Sequence, residues 1–138
     1  MSDTAGVLTA EDKLTVRTAA HGVAGLMAAA DPGAISSTRA GVAAGKALGS
    51  ATGLVGRLLA EHPKGMKLGG KSTAEVADQV FDAIRRSLEL LAAKAPDEVD
   101  NFRATLTVAV RAAQHARPSA NPAQAAMADK ITALLDGS

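Results

Sequence analysis

Residues Ser72–Ala95 read STAEVADQVFDAIRRSLELLAAKA, and this stretch decides the fold class. Ser72 and Glu75, three apart, carry the signature of a capping box, in which a hydroxyl and a carboxylate satisfy each other's backbone N–H at a helix start. Behind it, Ala77, Val80, Ile84, Leu88, Leu91 and Ala95 recur at steps of three or four. That spacing gathers them on one side of an α-helix. Asp82 and Arg86, and Arg85 and Glu89, stand four apart on the polar side, where opposite charges support the helix.

The same punctuation repeats outward in both directions. Toward the N-terminus lies Pro63–Lys71 (PKGMKLGGK), with one Pro, three Gly and three Lys, which reads as the longest and most mobile loop. Before it, a second helix is expected over about Ser37–Glu61, capped by Ser36 or Ser37 and stopped by Pro63. A first helix is expected after Thr9, with Glu11 and Asp12 in its first turn, where carboxylates favour the positive end of the dipole. Asp31-Pro32-Gly33 ends it. Toward the C-terminus, Pro96 breaks the central helix and suits the first turn of the next, expected over about Asp97–Ala116. After the turn Arg117-Pro118-Ser119-Ala120, Asn121 and Pro122 supply a cap and a first-turn proline for a last helix, Pro122–Leu135.

No segment alternates with period two over a useful length. The expectation is an all-α, single-domain bundle of five helices over 1–138, built from antiparallel hairpins with no sheet, and with the central helix best packed. Ala contributes 32 of the 138 residues, while Leu, Ile, Val, Met and Phe together contribute 33, so the core is thin. Alanine raises helix propensity but buries little area. A thin core makes self-association plausible, because an interface buries more.

Composition excludes several functions. With no Cys there is no disulfide, thiolate metal site or Cys nucleophile. With no Trp or Tyr and two Phe there is no aromatic cage or base-stacking platform. Fifteen Lys and Arg against fourteen Asp and Glu leave +1, which steers the chain to neither nucleic acid nor an acidic membrane. The uncharged stretches Thr18–Ala30 and Ala47–Gly56 fall well short of the ~20 residues of a membrane span. The start, MSDTAGVLTAEDK, lacks the basic and apolar regions of a signal peptide. A cytoplasmic protein is expected.

Catalytic and metal constellations are not evident in the sequence. His21, His62 and His115 have no second His or carboxylate at helical spacing. His62 suits a helix end, and the other two read as surface or half-buried residues. Glu75, Asp78, Asp82 and Glu89 belong to the polar side of their helix, and no Ser occupies a nucleophile elbow. A non-enzymatic protein with no cofactor is expected.

Two local patterns remain. Gly41, Gly45, Gly49 and Gly53 recur every four residues, with Gly56 beyond, as in a glycine zipper. Each interior glycine costs roughly 0.8–1 kcal/mol against Ala, so a helix keeps them where something packs closely on the bare backbone. Packing on the first helix, where Gly22 and Gly25 offer an opposite groove, is one reading. An interface with a second copy or another protein is a second, and a membrane- or ligand-lining face a third. The other pattern is Gly65-Met66-Lys67-Leu68-Gly69-Gly70-Lys71-Ser72, which satisfies the phosphate-loop spacing. Ser72 opens a helix, as such a loop requires, but no strand precedes it and no sheet is expected. Lys67, Gly69, Gly70, Lys71 and Ser72 are therefore read as a basic loop, with weak phosphate or nucleotide binding as the alternative function.

The order of a capped helix, an Ala-Ala-Asp-Pro-Gly turn, a capped helix, an acid-started Ala/Val helix and a last helix ending Ala-Leu-Leu resembles the bacterial tellurite-resistance TerB-like helical proteins. The residues carrying it are Leu8–Ala34 and Glu98–Leu135, including Phe102, Val108, Ala109, Ala112, Ala113 and Ile131. The resemblance implies an all-α fold and a stress-linked accessory role. Asp31 matches the first of the two acidic turns linked to metal binding in that family. The second turn, Arg117–Ala120, has no acid, and Ser36-Ser37-Thr38 and Ala123-Gln124 replace the Glu that follows each turn, so no metal site carries across.

Overall fold

The computed structural model describes residues 8–31, 33–60, 72–116 and 121–137, with backbone alone over 34–36. They form an all-α fold of six α-helices, one more than the sequence suggests: α1 (Ala10–Ala29), α2 (Ala34–Gly49), α3 (Gly53–Ala60), α4 (Thr73–Lys94), α5 (Val99–His115) and α6 (Pro122–Asp136). A 3-10 turn, Pro96–Glu98, joins α4 to α5, and there is no strand among the described residues. None of their helices is long and apolar enough to cross a membrane. The expected mobile loop 63–71 lies outside the described residues.

Local chemistry sets most helix starts where the sequence puts them. Thr9 Oγ1 accepts the Asp12 N–H at 3.0 Å, and Asp12 Oδ2 accepts the Thr9 N–H at 3.1 Å, which closes a capping box on α1. Ser72 and Glu75 close the second box on α4. Asn121 accepts the Gln124 N–H at 3.0 Å, with Pro122 in the first turn of α6. Helix α2 differs from expectation, because it already begins at Ala34, after Gly33. Ser37 is therefore inside the helix rather than its cap, and its hydroxyl donates to the Ala28 carbonyl of α1 at 2.7 Å.

The expected long second helix is two helices. The chain breaks at Ser50–Thr52, where the Ser50 N–H and hydroxyl both turn back on Lys46. Gly53 then takes φ +69, a left-handed conformation that costs an L side chain about 1–2 kcal/mol. The break is held from α5 and the turn before it: Asn101 Nδ2 donates to the Thr52 carbonyl at 2.8 Å, and Glu98 Oε1 accepts the Val55 N–H at 3.1 Å. A Cβ on Gly53 would stand 3.1 Å from that Glu98 oxygen.

The best-packed helix is α1, not α4 as expected. Val16, Ala19, Ala20, Val23, Leu26 and Met27 of α1 are all fully buried. Its chief partner is α4, and the two are in close contact at Gly22, where a Cβ would run into the Val80 side chain. Gly22 therefore serves the α1–α4 contact rather than a groove for the glycines of α2. Helix α2 packs chiefly on α5, and Ala40, Ala44 and Leu48 of α2 and Phe102, Leu106 and Ala109 of α5 are buried in the same core. The consecutive helices α4 and α5 pack mainly on these other partners instead of on each other. Two polar contacts tie the outer helices to α1. Gln124 Nε2, buried in α6, donates to the Met27 carbonyl at 3.1 Å, and Arg17 Nε donates to the Leu58 carbonyl of α3 at 3.1 Å.

Candidate interaction face

The glycine ladder does not act as one surface. Gly53 is a backbone hinge, and a Cβ on Gly41 would make an ordinary 3.5 Å contact with Ala28. Gly45 and Gly49 are exposed, with nothing within 4 Å of the position a Cβ would take. Packing of the ladder on the first helix is thus excluded for Gly45 and Gly49. The alanines one position earlier, Ala40 and Ala44, take the core instead. Gly25 of α1 is also exposed with open space beside it.

The outward arc of α2 runs through Arg39, Val42, Gly45, Lys46 and Gly49, all exposed. Val42, 54 % exposed, and Val108 on α5, 53 % exposed, are the large apolar side chains most open to solvent among the described residues. Between the two helices runs an open groove of about 210 Å³, floored by Ala47, Ala51 and Ala104 and edged by Val108. No acidic residue occurs between Asp31 and Glu61, whereas Arg39, Lys46 and Arg57 do, so the α2–α3 side is basic.

A second hollow lies between α1 and α4. Two adjoining spaces of about 310 and 220 Å³ share Glu11, Thr15 and Arg86. Leu14, Ala83 and Leu90 give it an apolar floor, and Asp82 and Glu89 line its α4 edge. Arg86 pairs with Asp82 at 2.9 Å, and Lys94 bonds Asp12. The Lys94 ammonium, with the Thr9 N–H, holds the Asp12 carboxyl below its ordinary value of 3.8 against the opposing effect of burial. Glu11 and Glu89, both exposed, form no ion pair among the described residues.

The remaining singled-out residues do not converge. His21 is half-buried beside α3. Burial lowers its pKa from the ordinary 6.5, Arg17 lowers it further, and a hydrogen bond to the Leu59 carbonyl opposes both. His115 is exposed at the end of α5, and His62 lies outside the described residues. Asp31 is buried and accepts the Gly33 N–H at 2.9 Å, which places it in the α1–α2 turn as a structural acceptor. Among the described residues no group of three His, Asp or Glu is placed to hold a metal ion. Of the phosphate-loop pattern only Ser72 is described; Lys67, Gly69, Gly70 and Lys71 lie outside. The Ser72 hydroxyl donates to Glu75 Oε1 at 3.0 Å and accepts the Glu75 N–H at 3.2 Å. A carboxylate thus already occupies the N-terminal end of α4.

No family model matches the chain, and no curated protein or solved structure matches it significantly.

Proposed function

We propose that this is a non-enzymatic interaction protein that self-associates through the outward arc of α2 and the adjoining ridge of α5. The observation that carries the reading is the open space beside Gly45 and Gly49. A glycine inside a helix, as Gly45 is, weakens it, and no contact within the subunit compensates at Gly45 or at Gly49, the last residue of α2. Bare backbone on the same arc as Val42 lets a second helix approach closely, which is the packing use of small residues. The likeness to TerB-like proteins supports a cytoplasmic, stress-linked accessory role for such an assembly.

Sedimentation equilibrium over a wide concentration range, with and without lipid vesicles, tests the reading. The expected result is a mass that rises above the 13.8 kDa monomer with concentration and does not depend on lipid. A monomer at every concentration overturns it. Co-sedimentation with vesicles, without self-association, moves the same face to a membrane-surface role.

A further inference from the structure

We infer that self-association is head-to-tail, with the basic arc of α2 in one copy seated on the α1–α4 hollow of the next. The inference rests on the self-association proposed above and names the second surface.

Charge argues against the symmetric alternative. If two copies met through the same arc of α2, Arg39 and Lys46 of both would crowd one interface, with no acid on α2 to offset them. Like charges facing each other across an interface are costly. The α1–α4 hollow has the opposite balance. Lys94 and Arg86 offset Asp12 and Asp82, and Glu11 and Glu89 remain as surplus negative charge on its rim. Arg85 and Lys13 line neither part of it.

Spacing fits as well as sign. Arg39 and Lys46 are seven residues apart on α2, and on α4 the unpaired Glu89 stands seven from Asp82, a carboxylate that Arg86 already holds and that a second cation would have to share. At 1.5 Å per residue, each pair spans about 10 Å along its own helix axis. Val42 stands between the two cations as an exposed apolar side chain, and Leu14, Ala83 and Leu90 are the apolar residues that line the hollow. The bare backbone at Gly45 and Gly49 lets the two axes come close. Because the two surfaces differ, each contact leaves one of each free to take a further copy, so copies add until a ring closes or extend as an open chain rather than stop at a closed dimer.

The test uses the full chain and sedimentation velocity, with circular dichroism confirming that each variant keeps its helices. Lys46→Glu and Glu89→Lys are each expected to weaken association about five- to tenfold, and raised salt to weaken the wild type. The double variant Lys46→Glu/Glu89→Lys, with charges exchanged, recovers association toward the wild-type level. Masses above that of a dimer complete the expected result. A closed dimer that Glu89→Lys leaves unchanged overturns the head-to-tail contact while keeping self-association. A wild-type monomer at all concentrations overturns both.

Discussion

Glu98 caps α3 from 43 residues away: its Oε1 accepts the Val55 N–H at 3.1 Å. The carboxylate thus meets the positive end of α3 and satisfies an amide that the helix cannot satisfy itself. Asn101 completes the joint by donating to Glu98 Oε1 at 3.2 Å and to the Thr52 carbonyl at 2.8 Å. The joint orients α3, and with it the C-terminal end of the α2 arc.

Glu98→Ala is expected to lower the free energy of unfolding by about 1–2 kcal/mol, as loss of a helix cap does. Urea denaturation measures it, and hydrogen exchange at the Val55 amide should accelerate. Asp97→Ala, one residue earlier and exposed, should stay within about 0.5 kcal/mol of wild type. Gly53→Ala should cost about 1–2 kcal/mol through backbone strain alone. Equal stability of Glu98→Ala and wild type would remove the cap from the account of the α2–α3 break.

Ser87 supplies a prediction of opposite sign. It is fully buried in α4, and its hydroxyl has no hydrogen-bond partner. Burying an unpaired hydroxyl costs about 1–3 kcal/mol. Ser87→Ala deletes the unpaired group with almost no change of volume. It should raise stability by up to about 1 kcal/mol in thermal or urea unfolding. A loss of stability instead would show that the hydroxyl is bonded in solution.

Stability should also fall on acidification in two separate steps. His21 and Asp12 both have pKa values lowered in the fold, from ordinary values of 6.5 and 3.8. Below those values the unfolded chain binds more protons than the folded one, so protonation favours unfolding. The contribution of His21 is complete above about pH 6.5 and is lost as pH falls through its lower folded value. That of Asp12 is complete above about pH 3.8 and is lost as pH falls through its folded value in turn. Unfolding midpoints across pH 7.5 to 2.5 measure both (about one point per half unit suffices). His21→Asn should flatten the upper step and Asp12→Asn the lower. An unchanged upper slope in His21→Asn would assign that step to another group.

Local determinants were legible in the sequence and remote ones were not. Thr9 with Asp12, Ser72 with Glu75, and Asn121 with Pro122 act within four residues of one another, so their spacing reveals them. The break at Ser50–Thr52 depends on Glu98 and Asn101, and the burial of Gln124 depends on the Met27 carbonyl, 97 residues away. No local pattern encodes such partners. The sequence Ser50-Ala51-Thr52-Gly53 within a supposed 25-residue helix was the available hint, since Ser, Thr and Gly punctuate helices. The proposed interaction face was half legible. Gly41, Gly45 and Gly49 share their period with Ala40, Ala44 and Leu48, and a period cannot tell which set faces the core. The bulk of Leu48 and the added methyls of the alanines decide it, because they gain more from burial than hydrogen does.

Gly45 and Gly49 therefore allow folding and association to be separated. Alanine fits at both positions without displacing anything, since nothing lies within 4 Å of the new Cβ. Gly45→Ala, inside α2, should raise monomer stability by about 0.8–1 kcal/mol through helix propensity, and Gly49→Ala, at the last residue of the helix, by less. The same two methyls stand in the path of a helix approaching the outward arc of α2, so Gly45→Ala/Gly49→Ala should associate more weakly than wild type. Gly45→Leu/Gly49→Leu should abolish association while keeping the fold. Gly22→Ala is the contrast: its Cβ meets Val80, and overpacking of this kind costs about 1–3 kcal/mol. Unfolding free energy and sedimentation, measured on the same samples, give the two readouts. Stability and association moving in opposite directions is the mark of glycines kept for a partner. Association unaltered by the double leucine variant would mean that copies of this chain meet elsewhere than on α2, and the proposed face would fall.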